Sequence, residues 1–246
     1  MKVLSTGIKK LDNIVGGGIV EDTVFTIIYD TYSYGWALGI KILLNRIREG
    51  DFGVILNTVL PISSLDLETE LFGLKIREEG EKGNLVVIDL FATANGINYP
   101  HDYVYTIGSL DPSTYLPKFL SVYRKILEEK IKEKRPIGIV ITMDGYKLLM
   151  GENHSIKLVQ KSVAIKETAR ITEKRKRPIN IWLLNKDRVS KEYISWLALY
   201  SQYIIEVRSS EETPGYEVMF VRKSPLPDFE PGVYKLYIKG GNLKIG

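Results

Sequence analysis

Val24-Phe25-Thr26-Ile27-Ile28, followed by Tyr29-Asp30-Thr31-Tyr32-Ser33-Tyr34-Gly35-Trp36-Ala37, is the stretch whose reading decides the fold. Its first five residues are a short apolar, β-branched run of the length expected for a buried strand. From Leu38 to Arg48 the spacing turns helical, with apolar residues at Leu38, Ile40, Leu43, Leu44 and Ile47. Strand, tight turn and helix is the setting in which many nucleotide-binding proteins place a phosphate-binding loop. Such a loop needs glycines so that backbone N–H groups can wrap a phosphate, a lysine for charge, and a hydroxyl for magnesium. This turn carries three tyrosines and a tryptophan instead, lacks the lysine, and places Asp30 where it would repel a triphosphate. The scaffold is kept and the chemistry is removed.

The composition bounds what surrounds this stretch. A chain of 246 residues can hold one large α/β domain with a sizeable core. Its 44% hydrophobic and 26% charged residues are ordinary for a globular protein. A net charge of +4 permits nucleic-acid binding without implying it. The absence of cysteine excludes disulfides, thiolate metal sites and cysteine nucleophiles. No apolar run is long enough to span a membrane, and Met-Lys-Val-Leu-Ser-Thr-Gly is too short and polar for a signal peptide. A cytoplasmic location is therefore expected. Two glutamines (Gln160 and Gln202) among many Lys and Glu are the composition of a thermophilic source.

Upstream, Ser5 to Ile14 reads as a capped short helix with Leu11 and Ile14 turned inward. Gly16-Gly17-Gly18 then breaks the chain, which by itself describes a flexible turn. Downstream, Gly53–Val59, Asn84–Leu90, Pro136–Asp144 and Pro178–Leu184 read as strands, Pro136–Asp144 buried through most of its length. Helices are expected over Leu65–Phe72 (capped by Ser63-Ser64), Tyr115–Glu133, Ile156–Glu173 and Lys191–Tyr203. Residues 92–113 show no clear period, and a loop of that length is often functional. Beyond Tyr203 short alternating runs take over, at Tyr203–Val207, Tyr216–Val221, Val233–Ile238 and Leu243–Ile245. Turn signals at Thr213-Pro214-Gly215 and Gly240-Gly241-Asn242 separate them. Alternating strands and helices followed by strands alone predict an α/β fold: a mostly parallel sheet flanked by helices, with an antiparallel C-terminal extension. No linker divides the chain, so residues 1–246 are expected to form a single domain.

The order of these parts resembles the RecA superfamily, and its KaiC-like (RadA-related) branch in particular. Ser5-Thr6-Gly7, Leu11-Asp12 and Gly16-Gly17-Gly18-Ile19 are similar to that branch's opening signature, whose final proline is Val20 here. Val218 to Ser224 resembles the strand near the end of KaiC-like domains. Laid over the family's phosphate loop, Tyr29 to Ala37 keep only Ser33; Gly35 falls on the lysine position and Trp36 on the magnesium-binding hydroxyl. The paired glutamates after the second strand, one of which activates water in the family, are replaced by Thr58-Val59-Leu60-Pro61. Asp144 matches the magnesium-associated aspartate. Arg222 keeps the position of an arginine that in the family reaches a neighbour's nucleotide, while the lysine two residues earlier is Phe220. The resemblance implies a RecA-like fold and assembly with copies of itself or with active paralogues.

Phosphoryl transfer rests almost wholly on positioning and on stabilising negative charge. With lysine, hydroxyl and acid all lost, neither an enzyme nor a cofactor nor a metal site is expected. Tyr32, Ser33, Tyr34, Gly35, Trp36 and Asp144 mark the former nucleotide site, whose bulky aromatics read as a plug, or as stacking partners for a base. Asp144 reads equally as a helix cap or turn former. Two basic clusters, one with Lys132, Lys134 and Arg135, the other Lys174-Arg175-Lys176-Arg177, follow helices. They complement the helix dipoles, or they contact nucleic acid in repair or transcription. His101 and His154 have no metal-ligand spacing. Three functions remain open: a non-hydrolysing binding, scaffolding or regulatory protein, a nucleic-acid binder, and a residual nucleotide-binding protein with an unconventional site.

Overall fold

The computed structural model describes residues 2–210 and 215–246. Except for Gly215, the turn expected at 213–215 lies outside the described residues. In chain order, β1 (Val3–Leu4), α1 (Lys9–Ile14) and β2 (Ile19–Val20) precede the deciding stretch, which is β3 (Val24–Tyr29) and α2 (Trp36–Arg48). There follow β4 (Phe52–Asn57), α3 (Ile62–Glu70), α4 (Ile76–Glu81), β5 (Leu85–Asp89), α5 (Leu90–Asn95) and β6 (Val104–Tyr105). Next come α6 (Tyr115–Ile126), which runs on as a wider helical turn over Leu127–Ile131, then β7 (Pro136–Ile141), α7 (Met143–Met150) and α8 (Glu152–Thr172). The chain closes with β8 (Ile179–Asn185), α9 (Lys191–Tyr200), β9 (Tyr203–Arg208), β10 (Glu217–Lys223), β11 (Gly232–Lys239) and β12 (Asn242–Ile245).

One sheet runs in the order β12-β11-β10-β9-β3-β8-β7-β4-β5-β6. It is parallel from β9 to β6 and antiparallel from β9 through β12. Crossovers between parallel strands are right-handed, so the direction of travel along the sheet decides which face a helix covers. The step from β3 to β4 carries α2 over one face, where Gly39 lies against Leu183, Ile139 and Ile181. The steps to β7, β8 and β9 travel the other way and place α6, α8 and α9 on the opposite face. This is a mostly parallel α/β sheet with an antiparallel extension.

Local rules explain where the elements differ from expectation. The Asp89 side chain caps α5 by accepting from the Ala92 N–H at 2.8 Å, and Gly96 ends that helix in the left-handed region at φ 63°. With β6 pairing β5, residues 92–113 are far from a structureless loop. Helices α4, α5 and α7 escaped the periodicity reading because six to eight residues hold too few turns to show a period. Ser63 and Ser64 do not cap α3, which starts one residue earlier behind Pro61. Neither does a serine or threonine cap α1; the Asp12 carboxylate instead accepts from the Thr6 N–H at 2.8 Å and from the Ser5 and Thr6 hydroxyls.

The triple glycine is built into the packing. All three residues have positive φ, and a Cβ at Gly16 would strike Leu226 and the backbone at Phe229. Tyr203 fixes the same turn to the sheet: its hydroxyl accepts from the Val20 N–H at 2.9 Å and donates to the Gly18 carbonyl at 3.1 Å, while its ring stacks on Phe25. At the same end of the parallel strands a buried charge network holds α2 to β7. Arg46 donates two hydrogen bonds to Asp51, and Arg135, 6% exposed, pairs with Glu21 at 2.9 Å and lies 3.8 Å from Asp51.

A Cβ on Gly39 would come within 2.8 Å of Leu183 and 3.2 Å of Ile139 and Ile181. Gly39→Leu forces α2 off the sheet, and overpacking of this kind costs about 3 kcal/mol. The expected fall in Tm is roughly 6–12 °C for a chain of this size, read by thermal unfolding. An unchanged Tm would show that α2 does not set the sheet packing.

Candidate functional site

In open α/β sheets, ligands bind outside the carboxyl ends of the strands where the winding direction reverses. Here that point lies between β3 and β8: the chain leaves β3 one way through α2 and leaves β8 the other way through α9. The loop after β3, residues 30–35, therefore occupies the position expected of a phosphate site, with α2 behind it. A helix N-terminus in that place offers unpaired N–H groups and the positive end of the helix dipole to an anion.

In this chain those groups are already used. The Thr31 N–H and hydroxyl both donate to Asp187 Oδ2, at 2.8 and 3.0 Å, bridging the loops that follow β3 and β8. The Tyr32 N–H donates to Asp30 Oδ1 at 3.2 Å, and the Ser33 N–H donates to the Asp30 carbonyl at 3.1 Å. Glu217, from β10, accepts from the Ser33 hydroxyl at 2.6 Å and the Tyr34 N–H at 2.7 Å. The Gly35 N–H closes the series by donating to Ser33 Oγ at 2.9 Å. Every backbone N–H from Thr31 to Gly35 thus has an acceptor inside the chain. Asp30 in turn accepts from the Ser209 N–H and hydroxyl, at 2.8 and 2.7 Å, tying the loop to the end of β9. A Cβ on Gly35 would lie 2.7 Å from Val207, so glycine is required for the loop to approach β9 this closely.

Burial pushes the Glu217 carboxyl up, and Asp30 adds to that; the hydrogen bonds from Ser33 and Tyr34 act against it. On the other face of the same strand pair, Glu206 meets Lys186, Arg208 and Arg222. Burial alone would raise its pKa, but the hydrogen bonds from Arg208 and Arg222, with the charges of its partners, hold it at about 2.

The aromatics expected to plug the site take other places. Tyr32 is 84% exposed and fills no cavity. Tyr34, 47% exposed, packs with Trp36 and Phe72, and Trp36 meets Phe72 edge-on at 5.1 Å. Carboxylates close the loop, and the aromatics line its flank. Asp144 is buried at the start of α7, where Oδ1 accepts from the Asn185 N–H at 3.0 Å and Oδ2 pairs with Arg188 at 3.3 Å. It acts as a tie between α7 and the end of β8. Thr58, in the place of the family's acids, accepts from the Thr142 N–H and donates towards the Ile141 and Thr142 carbonyls. Asp89 is fully buried with Oδ2 unpartnered, and burial pushes its carboxyl up. Among the described residues, no group of three or more His, Asp or Glu could hold a metal ion.

Arg222 donates to Glu206 at 3.0 Å and lies over the Phe220 ring, opposite Arg208. Its guanidinium is thus engaged within its own chain. The basic clusters are corrected in part. Arg135 is buried in its ion pairs, Arg177 donates to the carbonyls of Ala169, Arg170 and Glu173 at the end of α8, and Arg175 donates to the Leu127 carbonyl. These three arginines hold helix ends and loops, although Arg175 is exposed; Lys132, Lys134, Lys174 and Lys176 are the exposed cations of the two clusters with no hydrogen bond among the described residues. Sequence reasoning missed Glu217, Asp187 and Ser209, which lie more than 150 positions from their loop partners.

No family model matches the chain, and none of the curated proteins searched matches it. Solved structures do. One is a crystal structure of PH0321, an uncharacterized protein from Pyrococcus horikoshii in complex with an unknown peptide. It superposes with a TM-score of 0.84 at 20% identity over 99% of this chain and 98% of that one. Another is the KaiC-like protein PH0186 from the hyperthermophilic archaeon Pyrococcus horikoshii OT3, at a TM-score of 0.74 and 15% identity, covering 100% and 99% of the two chains. The fold is RecA/KaiC-like.

Glu217→Ala leaves the Tyr34 N–H and Ser33 hydroxyl open at the start of α2. The variant is expected to lose about 1 kcal/mol, as on removal of a helix cap, and to gain a Tm increase with millimolar phosphate that wild type and Glu217→Gln lack. Equal phosphate responses in all three would show that Glu217 does not occupy an anion site. For Glu206, a depressed folded pKa means the stabilisation is present above the ordinary glutamate range and is lost as pH falls towards 2. Because its arginine partners are half-exposed, Glu206→Gln should cost about 1–2 kcal/mol at neutral pH. Denaturant unfolding across that window should show the difference shrinking between pH 4.5 and 2.

Proposed function

We propose that this protein is a non-hydrolysing member of the RecA/KaiC-like fold that works by binding other polypeptides, as a scaffold or regulator, through copies of itself or active paralogues. The observation that carries this reading is the hydrogen-bond accounting of the loop after β3. Its N–H groups are bonded to Asp187, Asp30, Glu217 and Ser33 of the same chain. A hydrogen bond to a charged group contributes about 1.5–3 kcal/mol. Replacing three carboxylates by a triphosphate therefore costs roughly 5 kcal/mol before any new contact forms, a loss of several thousandfold in affinity. The missing lysine removes the charge that would offset this.

A polypeptide ligand is supported by PH0321, whose crystal structure of the same fold holds a peptide. Nucleic-acid binding is supported less, since three of the seven basic side chains considered for it are committed to internal bonds. The exposed cations with no internal hydrogen bond among the described residues are four lysines. No helix of the described residues is long and apolar enough to cross a membrane.

The test is titration with magnesium and ATP, followed by calorimetry and by tryptophan fluorescence, since Trp36 opens α2. No saturable signal up to millimolar ATP, and no phosphate release, is the expected result. Saturable binding that Asp144→Asn abolishes would sink the reading in favour of an unconventional nucleotide site.

A further inference from the structure

The sheet face opposite α2 is incompletely covered. The central strands of a parallel sheet are normally buried on both faces. In β7 and β8 the residues facing α2 (Ile137, Ile139, Ile179 and Ile181) are at most 1% exposed. Those alternating with them (Gly138, Val140, Asn180 and Trp182) are only half-buried. They form the floor of a cavity of about 640 Å³ whose walls are α6 and α8, a volume in the range of ligand sites. Along α6, Tyr115, Phe119 and Tyr123 stack in succession, with ring centroids 5.9 and 6.0 Å apart, and give that wall a continuous aromatic face.

We infer that this groove binds a peptide segment carrying apolar side chains and carboxylates. The inference rests on the polypeptide-binding reading and supplies its place and chemistry. Charge complementarity argues for the acid: seven Lys and Arg side chains line the groove against three carboxylates (Asp22, Glu128 and Glu173), and of the seven Lys132, Lys134 and Lys176 have no acidic partner among the described residues. Polar chemistry on the floor argues for a peptide. The Asn180 carboxamide makes no hydrogen bond within the described residues and lines the cavity, offering one acceptor and two donors. A peptide group has the complementary donor and acceptor; a fatty acid has no donor at neutral pH. Gly138 keeps the floor next to Asn180 open, because it lacks a side chain.

The geometry supplies a variant that fills the groove without disturbing the fold. A Cβ on Gly138 meets Asn180 Oδ1 at 3.4 Å and the Ile179 carbonyl at 3.9 Å, ordinary contact distances, and β-branched residues suit strands. The probes are an octapeptide of alternating leucine and glutamate, its leucine–lysine counterpart, and palmitate. The readout is the fluorescence of Trp182, assigned with Trp182→Phe. Wild type should show saturable change with the leucine–glutamate peptide alone. Gly138→Val, with unchanged circular dichroism and Tm, should abolish it, and Asn180→Ala should weaken it by about tenfold or more, as for a lost hydrogen bond to a buried amide. No saturable response in wild type overturns the inference, as does a response to palmitate or the lysine peptide of equal strength, or undiminished binding by Gly138→Val. ATP binding would leave these results unaffected, because the groove and the loop after β3 are separate and respond to different variants.

Discussion

Two hydrogen bonds accepted by Glu217, at 2.6 and 2.7 Å, close the start of α2, and the architecture around the switch point depends on them. A helix that begins behind a strand end presents unpaired N–H groups and a positive dipole. Left alone, those groups would require an anion or water. This chain supplies the anion from β10, in the antiparallel extension, so the C-terminal strands are bound to the parallel core by charge as well as by the β9–β10 ladder. Asp187 and Asp30 repeat the device on either side, one reaching across from the loop after β8 and one holding Ser209. The carboxylates perform two tasks that a bound phosphate would otherwise perform: they neutralise the helix end and join neighbouring loops.

The same arrangement explains how a sheet of this kind holds the loop after β3 without a bound phosphate. Packing makes Gly35 necessary there. Glycine at a phosphate loop lets backbone approach a ligand; here it lets the loop approach Val207. Ser33 is shared between Glu217 and the Gly35 N–H.

Much of this fold was legible because its decisive signals are local. Val24–Ile28 is a strand by its own composition, and the helical spacing after it needs no distant partner to be seen. The opening glycines were legible as punctuation, and their positive φ values supply the reason. What stayed hidden was non-local. Nothing near Tyr34 announces Glu217, and nothing near Thr31 announces Asp187; those pairings exist only once the sheet order places β8 beside β3 and β10 one strand further on the other side, beyond β9. Arg135, Arg175 and Arg177 read as a basic surface because charge in a sequence does not reveal which cations are spent on carbonyls and buried acids. One signal was present and passed over. In Ile-Gly-Ile-Val at 137–140 and Ile-Asn-Ile-Trp at 179–182, Gly138 and Asn180 interrupt the isoleucines at alternate positions, a sign of one less covered face, although Pro136–Asp144 was expected to be buried through most of its length.

That alternation has a physical consequence for how the two faces are used. The face against α2 is packed to closure, and its residues are large and aliphatic, so any added atom there is felt as strain. The face towards α6 and α8 carries a glycine, an asparagine and a tryptophan at its centre, residues that pack poorly together and leave polar atoms without partners. A core selected only for stability would replace Gly138 and Asn180 with valine or isoleucine, as the same strands do on their other face. Retaining them keeps a polar, open floor between two helices, and the lysines at its edge would then have a carboxylate to meet. A chain whose own acids bond the loop in front of α2 thus also carries, between α6 and α8, a second surface with a polar floor and a basic edge.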